Sequence, residues 1–217
     1  MNELTVGHLF DWHNKTVAIT GADNMLGTTL AHAFAYYRAN VVLIDKNAES
    51  MGNIRRIIMG MERNCLTFPI DVEDEDRMGA DMDSIASQCG VFDVLINLEG
   101  EHLPAEAALF LTRRVAEGMK KQGYGKIIHS HSSPDSKAEL LGKTADLAGE
   151  YASYGVNVNA VSWNSVGAAV QSPRQTVPQI PIHRNVEPSD LVGAFLFLAS
   201  SGADYITGQT LHIHRWS

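Results

Sequence analysis

The stretch TVAITGADNMLG, residues 16–27, decides the fold. Thr16–Thr20 is a short apolar and β-branched run, the composition of a buried strand. Thr20-Gly21 ends it, and a helical pattern opens before Gly27. A strand that passes through glycines into a helix N-terminus presents backbone N–H groups to an anion, the signature of a phosphate loop. Asp45 closes the next apolar run, near the position of the acid that hydrogen-bonds an adenosine ribose in such sites.

Outward from this stretch, short apolar runs alternate with longer amphipathic ones. Residues 41–45 (VVLID), 66–71 (LTFPID), 94–97 (VLIN), 126–130 (KIIHS), 156–161 (VNVNAV) and 210–214 (TLHIH) read as six further strands. Most are continuously apolar, as expected of parallel strands covered on both faces. Helical patterns lie between them at 26–37, 48–61, 77–88, 105–122, 136–154 and 189–200. Lys120 and Lys121 stand where a helix dipole favours cations, Gly155 suits a helix stop, and Pro188-Ser189 marks a start. The alternation predicts an α/β fold: a Rossmann-type, doubly wound sheet of seven mostly parallel strands with helices on both faces. No linker divides it, so one domain over residues 1–217 is expected.

Composition excludes several classes. The 217 residues carry 17 Lys+Arg against 25 Asp+Glu, a net charge of −8 that argues against binding nucleic acid. The 45% hydrophobic content argues against disorder. Cys65 and Cys89 make no disulfide framework, so a cytoplasmic location is expected. The longest apolar run, near 191–199, is under half of the ~20 residues a membrane span needs. The opening MNELTVGHLFDW lacks the basic region of a signal peptide.

Over nearly its full length the chain resembles the short-chain dehydrogenase/reductase family. Thr20-Gly21-Ala22 matches the start of the family's TGxxxGxG loop, and Asp71-Val72 its adenine-contacting Asp-Val pair. Residues 94–100 (VLINLEG) match its VNNAG strand end; 154–161 (YGVNVNAV) and 188–211 (PSDLVGAFLFLASSGADYITGQTL) match its C-terminal third.

The departures gather around one cleft. Met25 replaces the middle glycine of the loop, adding bulk where the family's backbone approaches the pyrophosphate. Asp23 adds a carboxylate; against one phosphate charge at ~5 Å and an effective dielectric of ~20, repulsion is on the order of 3 kcal/mol. Leu98 and Glu99 replace the second Asn and the Ala of VNNAG. Ser162-Trp163-Asn164 replaces Ser-Pro-Gly. Gly21, Gly27, Asp45, Asp71 and Val72 are therefore expected to be vestigial cofactor residues, blocked by Asp23, Met25 and Glu99.

The family's reaction needs a tyrosine that exchanges a proton with substrate and a lysine four residues later that lowers its pKa. No lysine here has a tyrosine four positions earlier. The resemblance sets Lys137 as the family lysine, so the tyrosine position is Ser133, a far poorer acid. Ser132 matches the catalytic serine, yet it adjoins Ser133 where the family has a loop of about a dozen residues. A second shortening lies between Gly100 and Phe110, and no Asn occurs between Asn97 and Asn157 to serve as the family's helix asparagine.

Other constellations weigh less. His129/His131 and His212/His214 pair imidazoles on strand faces, but no acid or cysteine converges on them, and no metal is expected. In the family the helices matching 105–122 and 136–154 join those of a neighbouring subunit, and the segment matching 189–214 makes a second two-fold contact. The tail, residues 214–217, would by the same resemblance point toward a neighbour, where Arg215 suits an anionic substrate such as a CoA thioester. The expectation is thus a non-catalytic family subunit, no enzyme on its own and without cofactor in this chain. It would assemble with an active homologue that holds NAD, through those segments. Two alternatives stay open: an active NAD(P)-dependent alcohol/ketone oxidoreductase with an atypical catalytic set, and a nucleotide-binding regulatory or scaffold protein.

Overall fold

A computed structural model describes residues 9–71, 74–98, 103–131, 137–163 and 186–213, apart from the side chains of 75, 76, 131 and 137–141. The elements run β1 (Thr16–Thr20), α1 (Met25–Tyr36), β2 (Asn40–Asp45), α2 (Ala48–Gly60), β3 (Cys65–Pro69), α3 (Glu75–Cys89), β4 (Val94–Leu98) and α4 (Ala105–Gln122). They continue with β5 (Gly125–His131), α5 (Lys137–Tyr151), β6 (Val156–Trp163), α6 (Pro188–Ala199) and β7 (Thr210–Ile213).

The strands form one sheet in the order β3-β2-β1-β4-β5-β6-β7, and every pairing is parallel, where the sequence predicted mostly parallel strands. Alternate side chains of the central strands enter two cores, because successive residues of a strand point to opposite faces. Val17, Ile19, Leu43, Ile96 and Val161 pack with α1, α2 and α6 on one face. Ala18, Val42, Leu95, Ile127 and Val158 pack with α3, α4 and α5 on the other. Strand order reverses between β2–β1 and β1–β4, so the C-terminal ends of β1 and β4 part into the crevice where such sheets bind ligands.

Local chemistry sets the helix ends. Asn24, Asn47 and Asp74 accept N–H bonds from Gly27, Ser50 and Arg77 at the starts of α1, α2 and α3. Gly123, at φ +71°, closes α4 after Lys120 and Lys121. The last helix starts a residue earlier than expected: Pro188 occupies its first turn and Glu187 its N-cap, a position for proline that sacrifices no intrahelical bond. Among the described residues no helix is long and apolar enough to cross a membrane.

Candidate dinucleotide site

The loop after β1 is built by two glycines. Gly21 donates its N–H to the Ile44 carbonyl (3.1 Å) and takes φ +64°, and a Cβ there would collide with the Leu98 carbonyl. Gly27 lies so close to the loop that a Cβ would sit 2.5 Å from the Ala22 carbonyl oxygen. Asn24 ties the loop to itself, its Oδ1 accepting from Gly27 N–H (2.8 Å) and its Nδ2 donating to the Gly21 carbonyl (2.9 Å). The first turn of α1 contains no acidic residue, so its positive end is uncompensated by the helix. Such an N-terminus fits a pyrophosphate.

Asp45 ends β2 and is 3% exposed. Its Oδ2 accepts the Asp23 N–H (3.1 Å) and its Oδ1 the Asn47 N–H (3.2 Å). A carboxylate with two accepted bonds keeps acceptor capacity for hydroxyl donors such as a ribose diol. Gly21, Gly27 and Asp45 are therefore brought together where β1 and β2 end.

Two of the three residues expected to block the site, Asp23 and Met25, are among the described residues. The Asp23 carboxylate accepts from Asn47 Nδ2 at 2.7 Å, which holds it against the β2–α2 loop. The partner lies 24 residues away, on the loop that follows Asp45. Met25 is 76% exposed, an unpacked and unbranched side chain able to turn aside. Glu99 and Val72 lie outside the described residues, as do Ser132, Ser133 and Arg215; the Lys137 side chain does too, although its backbone opens α5. Asp71 is exposed just beyond β3, its carbonyl accepting the Asp74 N–H at 3.2 Å. Residues 132–136, between β5 and α5, where the shortening was expected, lie outside the described residues.

Beneath the crevice lies a buried network whose one trace in the sequence is a histidine inside the apolar run KIIHS. Thr20 Oγ1 donates to Asn97 Oδ1 (2.8 Å), and Asn97 Nδ2 donates to Thr112 Oγ1 (2.9 Å). The same nitrogen lies 3.4 Å from His129 Nδ1. If Nδ1 accepts there, the imidazole proton resides on Nε2, which has no partner among the described residues. Burial pushes the His129 pKa down to about 4, so the ring is neutral. Among the described residues no cluster of three metal-ligating side chains occurs.

Comparison with known proteins finds relatives over nearly the whole chain. A family model described as short chain dehydrogenase matches residues 15–106, and one described as enoyl-(acyl carrier protein) reductase matches residues 102–215. The 3-oxoacyl-(acyl carrier protein) reductase of Rickettsia prowazekii is 28% identical, covering 95% of this chain and 98% of that protein. A short-chain type dehydrogenase/reductase from Mycobacterium marinum superposes with TM-score 0.84 at 26% identity, covering 97% of this chain and 98% of that one. A gluconate 5-dehydrogenase from Burkholderia cenocepacia, solved with NADP and tartrate, shares the fold with TM-score 0.83 at 22% identity over 97% of each chain.

Two expectations are overturned by these findings. The chain is not to be read as a non-enzyme, because the models and relatives it matches are dehydrogenases and reductases. Nor is it to be read as a chain without cofactor that leaves NAD to a partner. The chain matches a short chain dehydrogenase model, and a protein of the same fold was solved with NADP.

Proposed function

This chain belongs to the short-chain dehydrogenase/reductase family, and from that premise we propose that it is an NAD-dependent oxidoreductase of alcohols or ketones with an atypical catalytic set. The observation that carries the reading is the buried Asp45 carboxylate beside the Gly21–Gly27 turn. The α1 N-terminus and the loop N–H groups bind pyrophosphate, and Asp45 accepts the hydroxyls of the adenosine ribose. An acid in that place favours NAD over a 2′-phosphorylated dinucleotide. The nicotinamide supplies the hydride acceptor or donor. By resemblance Ser132 polarises the substrate oxygen, and the Lys137 ammonium favours the deprotonated form of whichever group passes the proton. A free-thiol chain without an apolar span among its described residues suits the cytoplasm.

The test is direct titration of the purified chain with NADH, followed by nicotinamide fluorescence. Saturable binding is expected, weakened tenfold or more by Asp45→Ala. Absence of saturation would refute the reading.

A second reading concerns assembly, and the sequence position Ser133 favours it. With serine where the family has its proton-exchanging tyrosine, the chain fits a heteromeric dehydrogenase whose work is shared with an intact homologue. Its contacts would be residues 105–122, 136–154 and 189–214. Two shortenings and the lost tyrosine resemble the truncated subunit of 2-(hydroxyphenylmethyl)succinyl-CoA dehydrogenase of anaerobic toluene degradation. Co-expression with an intact homologue and mass measurement of the purified complex tests it; a homogeneous homo-oligomer indifferent to the homologue excludes it.

A further inference from the structure

A pocket of about 370 Å³ lies at the end of the sheet opposite the crevice, beside the edge strand β3. The strands are parallel, so Thr16, Asn40 and Cys65, the first residues of β1, β2 and β3, share this end. Roughly 16 Å of strand separates it from the C-terminal ends, where the crevice opens. Its floor is apolar: Val42 and Leu66 are register neighbours on β2 and β3, and Leu66 is 42% exposed at the sheet edge. Two helices supply the walls, α3 through Gln88 and Cys89 at its end, α2 through Arg55 and Met59. The volume falls within the roughly 300–1,000 Å³ of small-molecule sites.

Charge sets this pocket apart. The chain has 25 acidic residues, yet among the described residues that line the pocket there is no acid, and Arg55 is the one charged group. Grooves beside α4 mix both signs, Arg113 with Glu117 in one and Lys121 with Asp83 in another. The Arg55 guanidinium is pinned but not neutralised: its Nε donates to the Cys65 carbonyl at 3.1 Å, and no ion pair among the described residues includes it. Its two terminal nitrogens keep a fork that matches a carboxylate. Asn40 Oδ1 accepts from Asn64 Nδ2 at 3.0 Å, which leaves the Asn40 amide nitrogen as a further donor. Burial raises the pKa of both thiols, Cys65 to about 11, so neither adds negative charge near pH 7.

We propose that this pocket binds a small amphipathic monoanion, a carboxylate on a short aliphatic chain, with the carboxylate on Arg55 and the chain against Val42, Leu66 and Met59. The carboxylate gains charge-assisted hydrogen bonds there, and the aliphatic body covers apolar surface that the sheet edge leaves to water. The proposal does not depend on the dinucleotide reading, because the two sites occupy opposite ends of the strands.

The experiment measures alkylation of Cys89 by iodoacetamide in the full chain, located by peptide mass spectrometry, with octanoate as the probe. Saturating octanoate is expected to slow the reaction about fivefold, and added NADH to leave that protection in place. Octanol, with the same chain and no charge, is expected to bind about tenfold more weakly. Arg55→Met keeps an apolar stem and removes the fork; it is expected to raise the octanoate concentration for half-protection about tenfold. Leu66→Asp puts a carboxylate into the pocket from an exposed position and is expected to abolish protection, which keeps the test open should the first variant fail to fold. A Cys89 rate unmoved by octanoate overturns the proposal, as does protection undiminished in both variants or matched by octanol. Loss of protection on adding NADH would place the probe in the crevice and overturn it as well.

Discussion

At the scale of single residues, His129 shows how burial sets chemistry. Its Nδ1 lies 3.4 Å from Asn97 Nδ2, a neutral amide itself bonded to Thr20 and Thr112, and the ring is fully enclosed. Its pKa of about 4 lies below the 6.5 of a free imidazole, so the unfolded chain takes up the proton first as pH falls. Stability is therefore complete above pH 6.5 and declines toward pH 4, by on the order of 3 kcal/mol across that window. Urea titrations at pH 7, 6, 5 and 4.5 measure this limb, and His129→Asn is expected to flatten it. Equal slopes for the two proteins would show that other groups govern acid stability. The glycines show the converse dependence, of conformation on a missing side chain: at Gly21 both the positive φ and the Leu98 carbonyl demand it.

At the scale of elements, the sheet is clamped at the end opposite the crevice. Lys126, the second residue of β5, is 1% exposed, its Nζ bonded to Asn157 Oδ1 on β6 and to Asp204 Oδ1 beyond α6, each at 2.7 Å. Burial lowers the lysine pKa and the Asp204 bond pulls it back up. The two partners are unequal, since the Asp204 side chain is 59% exposed and can be rehydrated while the ammonium cannot. Asp204→Ala should cost about 1–2 kcal/mol, less than the ~3–5 of a fully buried pair because water screens the aspartate. Lys126→Met should cost less than Asp204→Ala, since it leaves no stranded charge. Chemical denaturation of both variants decides the order, and the reverse order would contradict the clamp.

At the scale of the whole molecule, the two cores use only the inner faces of the helices. Ala108, Leu111, Val115 and Met119 of α4 are buried against the sheet, while Phe110 is 39% exposed on the other side. There it lines a groove of about 570 Å³ with Leu109, Arg113 and Glu117 of α4 and with Glu150 and Tyr151 of α5. These helices are the ones through which the proposed assembly forms. Placing a charge at its apolar centre, Phe110→Asp, is expected to weaken association by about 2 kcal/mol, some thirtyfold in the dissociation constant. Light scattering across a dilution series reads this out; a wild-type chain that stays monomeric at every concentration would exclude assembly by this face.

The sequence by itself determined the order and type of the elements, the parallel character of the sheet and the glycine turn. These depend on local periodicity and on backbone preferences that neighbouring residues carry. Where the charged side chains go was decided only in three dimensions. The Asp23 carboxylate, read from sequence as an added charge in the loop, is bonded by Asn47, 24 residues on. The His129 network and the Lys126–Asp204 clamp join residues 32 and 78 positions apart. A polar side chain takes the orientation that satisfies its hydrogen bonds, and those partners are supplied by the packing of distant strands and loops.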